Sequence, residues 1–395
     1  MNFWRWRVEK VTDSIYNIGV NDRDIDLFES QYQVPNGMSY NSYVIEDEKI
    51  AVFDTVDRRF EKEWLESLEE CLNGKEPAYL VILHLEPDHS ANIKSICDRY
   101  PNMKIIGNMK TFAFLPQFCK IENLDDRKVE VKEGDIISLG EHQLNFIMAP
   151  MVHWPEVMMC YEEKEKILFS ADAFGKFGAR DIEDNWVDEA RRFYINIVAK
   201  YGIQVQGVLQ KAAGLNIQKI CSLHGPVLTE DLGKYIEKYD KWSKYEPEEP
   251  EGILVLHSSI HGNTKEAAIK FASILEEKGA KVVKIIDLTR DDMSEAISQS
   301  YKYGKLVLAA SSYNSSVFPP MEHFLRLLKD KNYQNRKIGL IENGTWAPSA
   351  IKTMKLIIEG MKDITILESE VTIRTTLKDE NIVELEKLAE NILNV

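Results

Sequence analysis

The sequence has few cysteines, and none of them forms a C-x-x-C pair. The five cysteines are spread widely along the 395 residues, at Cys71, Cys97, Cys119, Cys160 and Cys221. This spacing excludes a cysteine-ligated iron centre within the chain and argues against a disulfide framework. The pattern is typical of proteins of a reducing compartment, so we expect a cytoplasmic location.

Long apolar runs and an excess of positive charge are also missing. No apolar run approaches the roughly 20 residues of a membrane-spanning helix. The first residues, MNFWRWRVEK, lack the apolar core and the small-residue cleavage site of a signal peptide. The formal net charge of −15 would repel phosphate groups rather than neutralise them. We therefore expect neither nucleic acid nor a membrane as a partner.

The length and one short segment predict two domains. A chain of 395 residues is too long for one average domain, and 44% hydrophobic residues are enough for sizeable cores. Between Trp242 and Gly252 the chain carries two prolines and four glutamates, a composition typical of an extended connection. We place the boundary there and predict domains at residues 1–248 and 249–395.

The second domain shows regular alternation of strand and helix patterns. The runs GILVLH, KVVKIIDL, KLVLAAS, KIGLIEN and ITILESEVTI are separated by helical stretches such as TKEAAIKFASILEEKG. This order predicts a doubly wound α/β domain with five parallel strands. The first domain begins with strand-like runs and continues with helical patterns near residues 60–71, 91–99 and 186–199, which favours an α+β or sandwich core with helices outside it.

A dense run of metal-binding residue types follows the apolar run YLVIL. His84 and Glu86 are two residues apart, so they share one side of an extended chain. Pro87 then turns the chain, which allows Asp88 and His89 to face the same cavity. Three further candidates, His153, Asp172 and His224, each lie beside another apolar strand-like run. One such histidine alone is more often a structural residue, but seven candidates together indicate a metal site.

These residues resemble the ligand set of the flavodiiron proteins, which join a metallo-β-lactamase-like αββα sandwich domain to a flavodoxin-like domain. The order of the seven residues, HWP at 153–155, SADAFG at 170–175 and HGP at 224–226 carry the resemblance. It implies two irons, one held by His84, Glu86 and His153 and the other by Asp88, His89 and His224. Asp172 would bridge them, beside an oxo or hydroxo bridge. The role of His84 stays open, because the matching histidine is sometimes turned away from the metal in this family.

The loop after the first strand of the second domain is suited to one phosphate. HSSIHGNTKEAA offers hydroxyls and backbone N–H groups directly before a helix, and its GNT resembles the flavodoxin phosphate loop. It has neither a Walker lysine nor the glycine spacing of a dinucleotide site, so a monophosphate is the expected ligand. The resemblance implies that this ligand is FMN. Two further strand-end loops, at residues 311–319 and 342–349, lie where the flavin ring would sit, with Tyr313 and Trp346 beside it and Asn314 and Asn343 at its polar edge. The alternative is that these are ordinary turn residues. The predicted FMN-contact residues are Ser259, Ile260, His261, Gly262, Asn263, Thr264, Ser311, Ser312, Tyr313, Asn314, Ser315, Asn343, Gly344, Thr345 and Trp346.

The resemblance implies an oxidoreductase that reduces dioxygen to water or nitric oxide to nitrous oxide. Electrons would come from an external donor, namely rubredoxin, a related carrier or a reduced deazaflavin, and pass through FMN to the iron pair. It also implies a head-to-tail homodimer, or a dimer of such dimers. Trp154 and Tyr201 are candidates to line the gas pocket, although both are equally suited to packing. Two alternatives remain: a zinc hydrolase of related fold, and a flavoprotein electron carrier with a relic metal domain.

Overall fold

Residues 8–395 are described by the computed structural model, and they form two compact units. The first consists of the described residues within Met1–Tyr194 together with Ile203–Asp240. The second consists of Ile195–Gly202 together with Lys241–Val395. The short segment Ile195–Gly202 therefore groups with the second unit although it precedes part of the first in sequence. The domain ranges 1–248 and 249–395 remain a proposal.

The first 248 residues contain short strands and mostly short helices. The strands are β1 (Glu9–Lys10), β2 (Ile15–Asn17), β3 (Val20–Asp22), β4 (Leu27–Phe28), β5 (Tyr32–Gln33), β6 (Met38–Tyr40), β7 (Tyr43–Ile45), β8 (Ala51–Phe53), β9 (Tyr79–Val81), β10 (Lys104–Gly107), β11 (Lys128–Glu130), β12 (Ile136–Ser138), β13 (Gln143–Met148), β14 (Met158–Glu162), β15 (Ile167–Phe169) and β16 (Lys219–Cys221). The helices are α1 (Glu61–Leu72), α2 (Pro87–Ser90), α3 (Ile93–Arg99), α4 (Met109–Phe118), α5 (Leu124–Arg127), α6 (Trp186–Phe193), α7 (Gly202–Ala212) and α8 (Leu232–Ser243), with 3₁₀ turns at Arg58–Phe60 and Ala199–Tyr201 and a π-helical stretch at Tyr194–Val198.

Two sheets form the core of the first unit. One has the order β1-β2-β7-β8-β9-β10-β11 and the other the order β12-β13-β14-β15-β16. Phe53 on β8 stacks on Phe169 on β15 with ring centroids 4.3 Å apart, so the sheets meet through their apolar faces. Helix α4 contacts β10 and β11. The predicted metallo-β-lactamase-like sandwich is confirmed.

Parallel strand pairs in both sheets bring polar loops together. Strand β8 runs parallel to β9 in the first sheet, and β15 runs parallel to β16 in the second. The carboxyl ends of parallel neighbours lie at the same edge of a sheet. The residues that follow β9, β15 and β16 are the ones predicted to bind metal, so the topology places these loops at common sheet edges.

The second unit contains one parallel sheet flanked by helices. Its strands are β17 (Glu249–Ser258), β18 (Val283–Asp287), β19 (Tyr303–Tyr313), β20 (Ser316–Val317), β21 (Arg336–Asn343) and β22 (Ile364–Ile373), and its helices are α9 (Asn263–Glu277), α10 (Met293–Lys302), α11 (Pro319–Asp330), α12 (Ala350–Ile358) and α13 (Asp379–Leu393). The order is β18-β17-β19-β21-β22, and all four pairings are parallel. This confirms the predicted flavodoxin-like domain.

The central strands of this sheet are buried because helices cover both faces. Val255 on β17, Val307 on β19 and Ile341 on β21 have no exposed surface and belong to one cluster with Phe271 of α9 and Leu385 of α13. The continuous apolar runs in the sequence are therefore core strands. None of the helices in residues 8–395 combines the length and the hydropathy needed to span a bilayer.

Candidate functional site

The seven predicted metal ligands come together in two adjoining groups. One ligand atom from each member of a group lies within 4.8 Å of those of the other members. The first group contains His84, Glu86, His153 and Asp172, and the second contains Asp88, His89 and His224. The division matches the assignment of ligands to two irons that the resemblance implies.

In the first group, nitrogen and oxygen atoms converge on one point. His153 Nε2 lies 3.1 Å from Glu86 Oε2 and 3.2 Å from Asp172 Oδ2. His84 Nε2 lies 3.2 Å from the same Glu86 oxygen and 3.7 Å from Asp172 Oδ2. The imidazole of His84 is therefore turned toward the group and is fully buried.

The second group repeats this arrangement around its own centre. His89 Nε2 lies 3.0 Å from His224 Nε2 and 3.3 Å from Asp88 Oδ2. His224 Nε2 lies 3.4 Å from the same Asp88 oxygen. All three residues are buried. Helix α2 positions two of them, because Pro87 begins the helix and Asp88 and His89 lie in its single turn.

Asp172 connects the two groups through its two carboxylate oxygens. Oδ2 faces His153 and His84, whereas Oδ1 lies 3.3 Å from His89 Nε2 and 3.8 Å from His224 Nε2. The residue follows β15 in a tight turn, in which Ala171 and Phe174 have positive φ angles of 51° and 66°. This is the geometry of a carboxylate that offers one oxygen to each of two cations.

The separations within each group match a coordination shell. Ligand atoms about 2.0–2.2 Å from one ion lie roughly 3.0–3.5 Å from each other. Most of the distances within the groups, 3.0 to 3.4 Å, fall in this range. Both oxygens of Asp88 and Oδ1 of Asp172 are buried without a hydrogen-bond partner among residues 8–395. Such atoms are costly unless a cation satisfies them, so the residues fit two metal ions.

Hydrogen bonds to the other ring nitrogens prepare two imidazoles for metal. His224 Nδ1 donates to the carbonyl of Ser39 at 2.7 Å, so its Nε2 presents a lone pair to the second group. Burial and the neighbouring His89 lower the pKa of His224 to about 4, which keeps the ring neutral. His84 Nδ1 lies 2.9 Å from Oε1 of the buried Glu156. Both contacts leave Nε2 free to face a cation.

The pKa values of the metal-free site reflect crowded negative charge. Burial would lower the pKa of His84 and His153, but the neighbouring carboxylates outweigh it, and the pKa of His153 is raised to about 9. Burial raises the pKa of Asp88, and the nearby carboxylates of Glu86 and Asp172 raise it further. Without metal, protons must therefore occupy positions that cations would take.

Several supporting residues carry no strong signal in the sequence. Asp54, directly after β8, accepts the backbone N–H groups of Leu83 at 2.9 Å and His84 at 3.2 Å, which fixes the strand end that carries the ligands. Gly175 allows the two ligand loops to approach closely, since a Cβ there would lie 2.9 Å from the Asp172 carbonyl oxygen and 3.2 Å from His224 Cβ. Glu156, which contacts His84, does have one signal in the sequence, because it lies three residues after His153.

The two residues predicted for the gas pocket differ in position. Trp154 lies at the site: its ring is 5.2 Å from the ring of His84 and 6.2 Å from that of His153, centroid to centroid. Tyr201 belongs to the segment that groups with the second unit. None of the contacts of the ligand groups described above involves Tyr201, so its role stays a prediction. Phe28 is a wall residue that the sequence did not indicate, with its ring 5.5 Å from that of His224.

The second unit has a cavity of about 550 Å³ at the carboxyl ends of its strands. All of the predicted FMN-contact residues line it except Gly262, and Ala347, Ser349 and Thr375 line it as well. Gly262 has a φ of +96°, which lets its N–H donate to Ser259 Oγ at 3.1 Å immediately before α9 begins. The cavity therefore meets the amino end of a 15-residue helix.

The lining of this cavity is suited to an anionic, aromatic ligand. It contains hydroxyl and amide side chains and no carboxylate, although the chain has a net charge of −15. Thr264 Oγ1 and Ser311 Oγ lie 2.9 Å apart beside the helix start. Trp346 is 89% exposed at the rim, which leaves its ring free to cover a flat ligand. Asn343 instead holds the loop together, because its amide bonds the backbone N–H and carbonyl of Thr375.

Comparisons with known proteins agree with this geometry. Residues 38–225 match the model of the ODP family of β-lactamase-like domains. A nitric oxide reductase of Moorella thermoacetica is 27% identical over 97% of both chains. The solved rubredoxin:oxygen oxidoreductase of Desulfovibrio gigas superposes with a TM-score of 0.91 at 24% identity over 98% of both chains. The flavodiiron protein of Giardia intestinalis gives a TM-score of 0.90 at 23% identity, over 98% of this chain and 97% of that one.

The fold and the two sites define an ODP-type β-lactamase-like domain, with a two-centre ligand set, that precedes a flavodoxin-like domain. Over nearly its whole length the chain is similar to flavodiiron proteins, and the relatives it matches are named as oxidoreductases.

We predict that metal affinity rises with pH. A metal ion must displace protons held by the free site, and the pKa of His153, raised to about 9, leaves that ring protonated at neutral pH. Each displaced proton strengthens apparent binding about tenfold per pH unit below the pKa. Calorimetric titration of the metal-free chain with Co²⁺ between about pH 6 and pH 9 measures this. Affinity that does not change over that range, with no proton release, would contradict the arrangement.

Proposed function

We propose that the protein reduces dioxygen to water or nitric oxide to nitrous oxide at a di-iron centre, with electrons that pass through FMN from an external donor. The observation that carries the proposal is Asp172, whose two oxygens each face a separate ligand group. A bridging carboxylate between two cations suits a pair of metals that act on one small molecule. The separate cavity for a flavin supplies the electron entry that such a reaction requires.

The composition of the ligand set favours iron. Glu86, Asp88 and Asp172 supply three negative charges to two divalent ions, and four imidazoles complete the set. Carboxylate ligands stabilise the higher oxidation state that a redox metal must reach. A zinc hydrolase of the same fold would need no such stabilisation, and it would not use the flavin cavity.

The residues around each site have defined roles in the proposed reaction. When bound, the iron pair supplies the redox chemistry and FMN supplies electrons one at a time. The protein orients the ligands through Ser39 and Glu156, and it surrounds them with the rings of Trp154 and Phe28, which limit access of water. Thr264, beside Ser311, and the start of α9 would hold the FMN phosphate.

The two gases appear in the names of two similar proteins. The Moorella thermoacetica relative is a nitric oxide reductase, and the Desulfovibrio gigas structure is a rubredoxin:oxygen oxidoreductase. We propose both gases as substrates of this chain, with a rubredoxin-like carrier or a reduced deazaflavin as the donor. The relative rates with the two gases, measured with one donor, would rank them.

Substitution Asp172→Ala tests the di-iron proposal. It removes the bridge, so we expect bound iron to fall and gas reduction to decrease by about 100-fold or more, while FMN content is unchanged. Bound iron, zinc and FMN are measured first, and consumption of dioxygen and nitric oxide is then followed with reduced rubredoxin. Glu162→Gln is the control, because Glu162 is equally buried but pairs with His142 outside the ligand groups. Full gas reduction by Asp172→Ala, or zinc with ester or lactam hydrolysis in the wild type, would contradict the proposal.

Substitution Thr264→Val tests the flavin cavity. Loss of a hydroxyl that bonds the phosphate should weaken FMN binding by about 10- to 100-fold, since a hydrogen bond to a charged group contributes about 1.5–3 kcal/mol. Quenching of FMN fluorescence during titration of the FMN-free chain gives the affinity. Ser273→Ala, on the same helix but outside the cavity, removes a hydroxyl of the same kind and should bind FMN normally. Equal affinity of Thr264→Val and wild type would place the phosphate elsewhere.

We also propose a head-to-tail homodimer in which the FMN of one subunit lies against the di-iron centre of the other. Such a two-fold pair would use the same contacts twice. Native mass spectrometry should give twice the chain mass. Crosslinking of a mixture of isotopically light and heavy chains should join the first domain of one subunit to the second domain of the other. A monomer that retains full gas reduction would rule the arrangement out.

A further inference from the structure

The ligand imidazoles differ in what their second ring nitrogen meets. His224 donates to the backbone carbonyl of Ser39, a neutral acceptor. His89 Nδ1 has no hydrogen-bond partner among residues 8–395. His84 Nδ1, in contrast, meets a carboxylate, with Glu156 Oε1 at 2.9 Å. A charged acceptor bonds a ring N–H more strongly than a carbonyl does, so the orientation of His84 is held by a stronger contact than that of His224.

Glu156 is itself fixed in position. Its side chain has no exposed surface, and the same oxygen that bonds His84 also accepts the backbone N–H of Leu85 at 3.0 Å. Its backbone carbonyl accepts the side-chain amide of Asn108 at 2.6 Å. The oxygen of that same amide caps the first turn of α4 through Lys110. The backbone of Glu156 is therefore anchored to the start of α4, and its carboxylate is anchored to the residue next to His84.

Packing restricts the ring of His84 further. Trp154 lies two residues before Glu156 and meets the ring edge to face, with centroids 5.2 Å apart and planes at 90°. The ring of His84 has no exposed surface. The segment 153–156 therefore supplies a ligand, a packing surface and a hydrogen-bond acceptor to the same half of the site.

We propose that Glu156 is a positioning residue that holds His84 in its metal-facing orientation, and that it thereby determines whether the group of Glu86, His153 and Asp172 gains His84 as a further ligand. The inference rests on the proposed metal pair. With Nδ1–H bonded to the carboxylate, the lone pair of Nε2 is aimed at the group and becomes a stronger donor. Without that acceptor the buried N–H is unsatisfied, and a rotated ring becomes competitive.

Co²⁺ titration of the full-length metal-free chain tests this without turnover. We expect Glu156→Leu to lower the affinity for one of two Co²⁺ ions by about 10- to 100-fold and to leave the affinity for the other unchanged. Glu156→Gln preserves the shape and an acceptor oxygen but removes the charge. It should therefore lower the affinity for the same ion by less than Glu156→Leu does. Glu162→Gln is the matched control, because it changes a buried glutamate that lies 3.0 Å from His142 Nδ1 and should leave both ions unchanged.

A double-mutant cycle separates positioning from a general structural role. If Glu156 acts through His84, then His84→Ala and His84→Ala/Glu156→Leu should bind the weakened ion with equal affinity. A further loss in the double variant, an equal loss at both ions, or wild-type affinity in Glu156→Leu would overturn the inference. A chain that binds two ions and shows the Glu156 effect, but reduces neither gas, would contradict the proposed function alone.

Discussion

Repulsion among buried lone pairs is the constraint on which the metal domain depends. Glu86, Asp88 and Asp172 direct carboxylate oxygens at imidazole nitrogens that in turn face one another, in a largely buried volume. Such an arrangement is unfavourable unless protons or metal ions lie between the atoms. The surrounding structure acts against this repulsion: parallel strand ends fix where the loops begin, and Gly175 lets the loops that carry Asp172 and His224 meet. The fold therefore maintains a geometry that would gain stability from two bound metal ions.

The sequence pattern predicts more of the fold in the second domain than in the first. In the second, strands such as β17 and β19 contain continuous apolar runs, and their alternation with helices was sufficient to predict five parallel strands. In the first, most strands have only two or three residues, which is too short for periodicity to distinguish them from turns. The sandwich followed from the resemblance. The grouping of Ile195–Gly202 with the second unit depends on tertiary contacts, such as that of Asn196 with the Ser294 carbonyl, which no local pattern indicates.

The site shows the same division between local and tertiary information. Four of the ligands lie within six residues, so their chemistry is visible in sequence, and the other three lie next to apolar strands. The partners that orient them are less visible. Ser39 acts through a backbone carbonyl, which has no side-chain signature, and Glu156 is one of many glutamates in an acidic chain. Asn343 lines the cavity, as its position at a strand end predicts, but its side-chain amide also bonds the backbone of Thr375, a contact that the sequence does not indicate.

The residues of the two sites do not overlap. The seven proposed metal ligands lie between residues 84 and 224 in the first unit, and the residues that line the proposed flavin cavity lie between 259 and 375 in the second. A ligand stabilises the part of a protein that binds it. Iron and FMN are therefore expected to act on separate unfolding equilibria, and the order in which a newly made chain acquires them is not fixed by the fold. A chain starved of iron would still mature as a flavoprotein, ready to be completed when the metal becomes available.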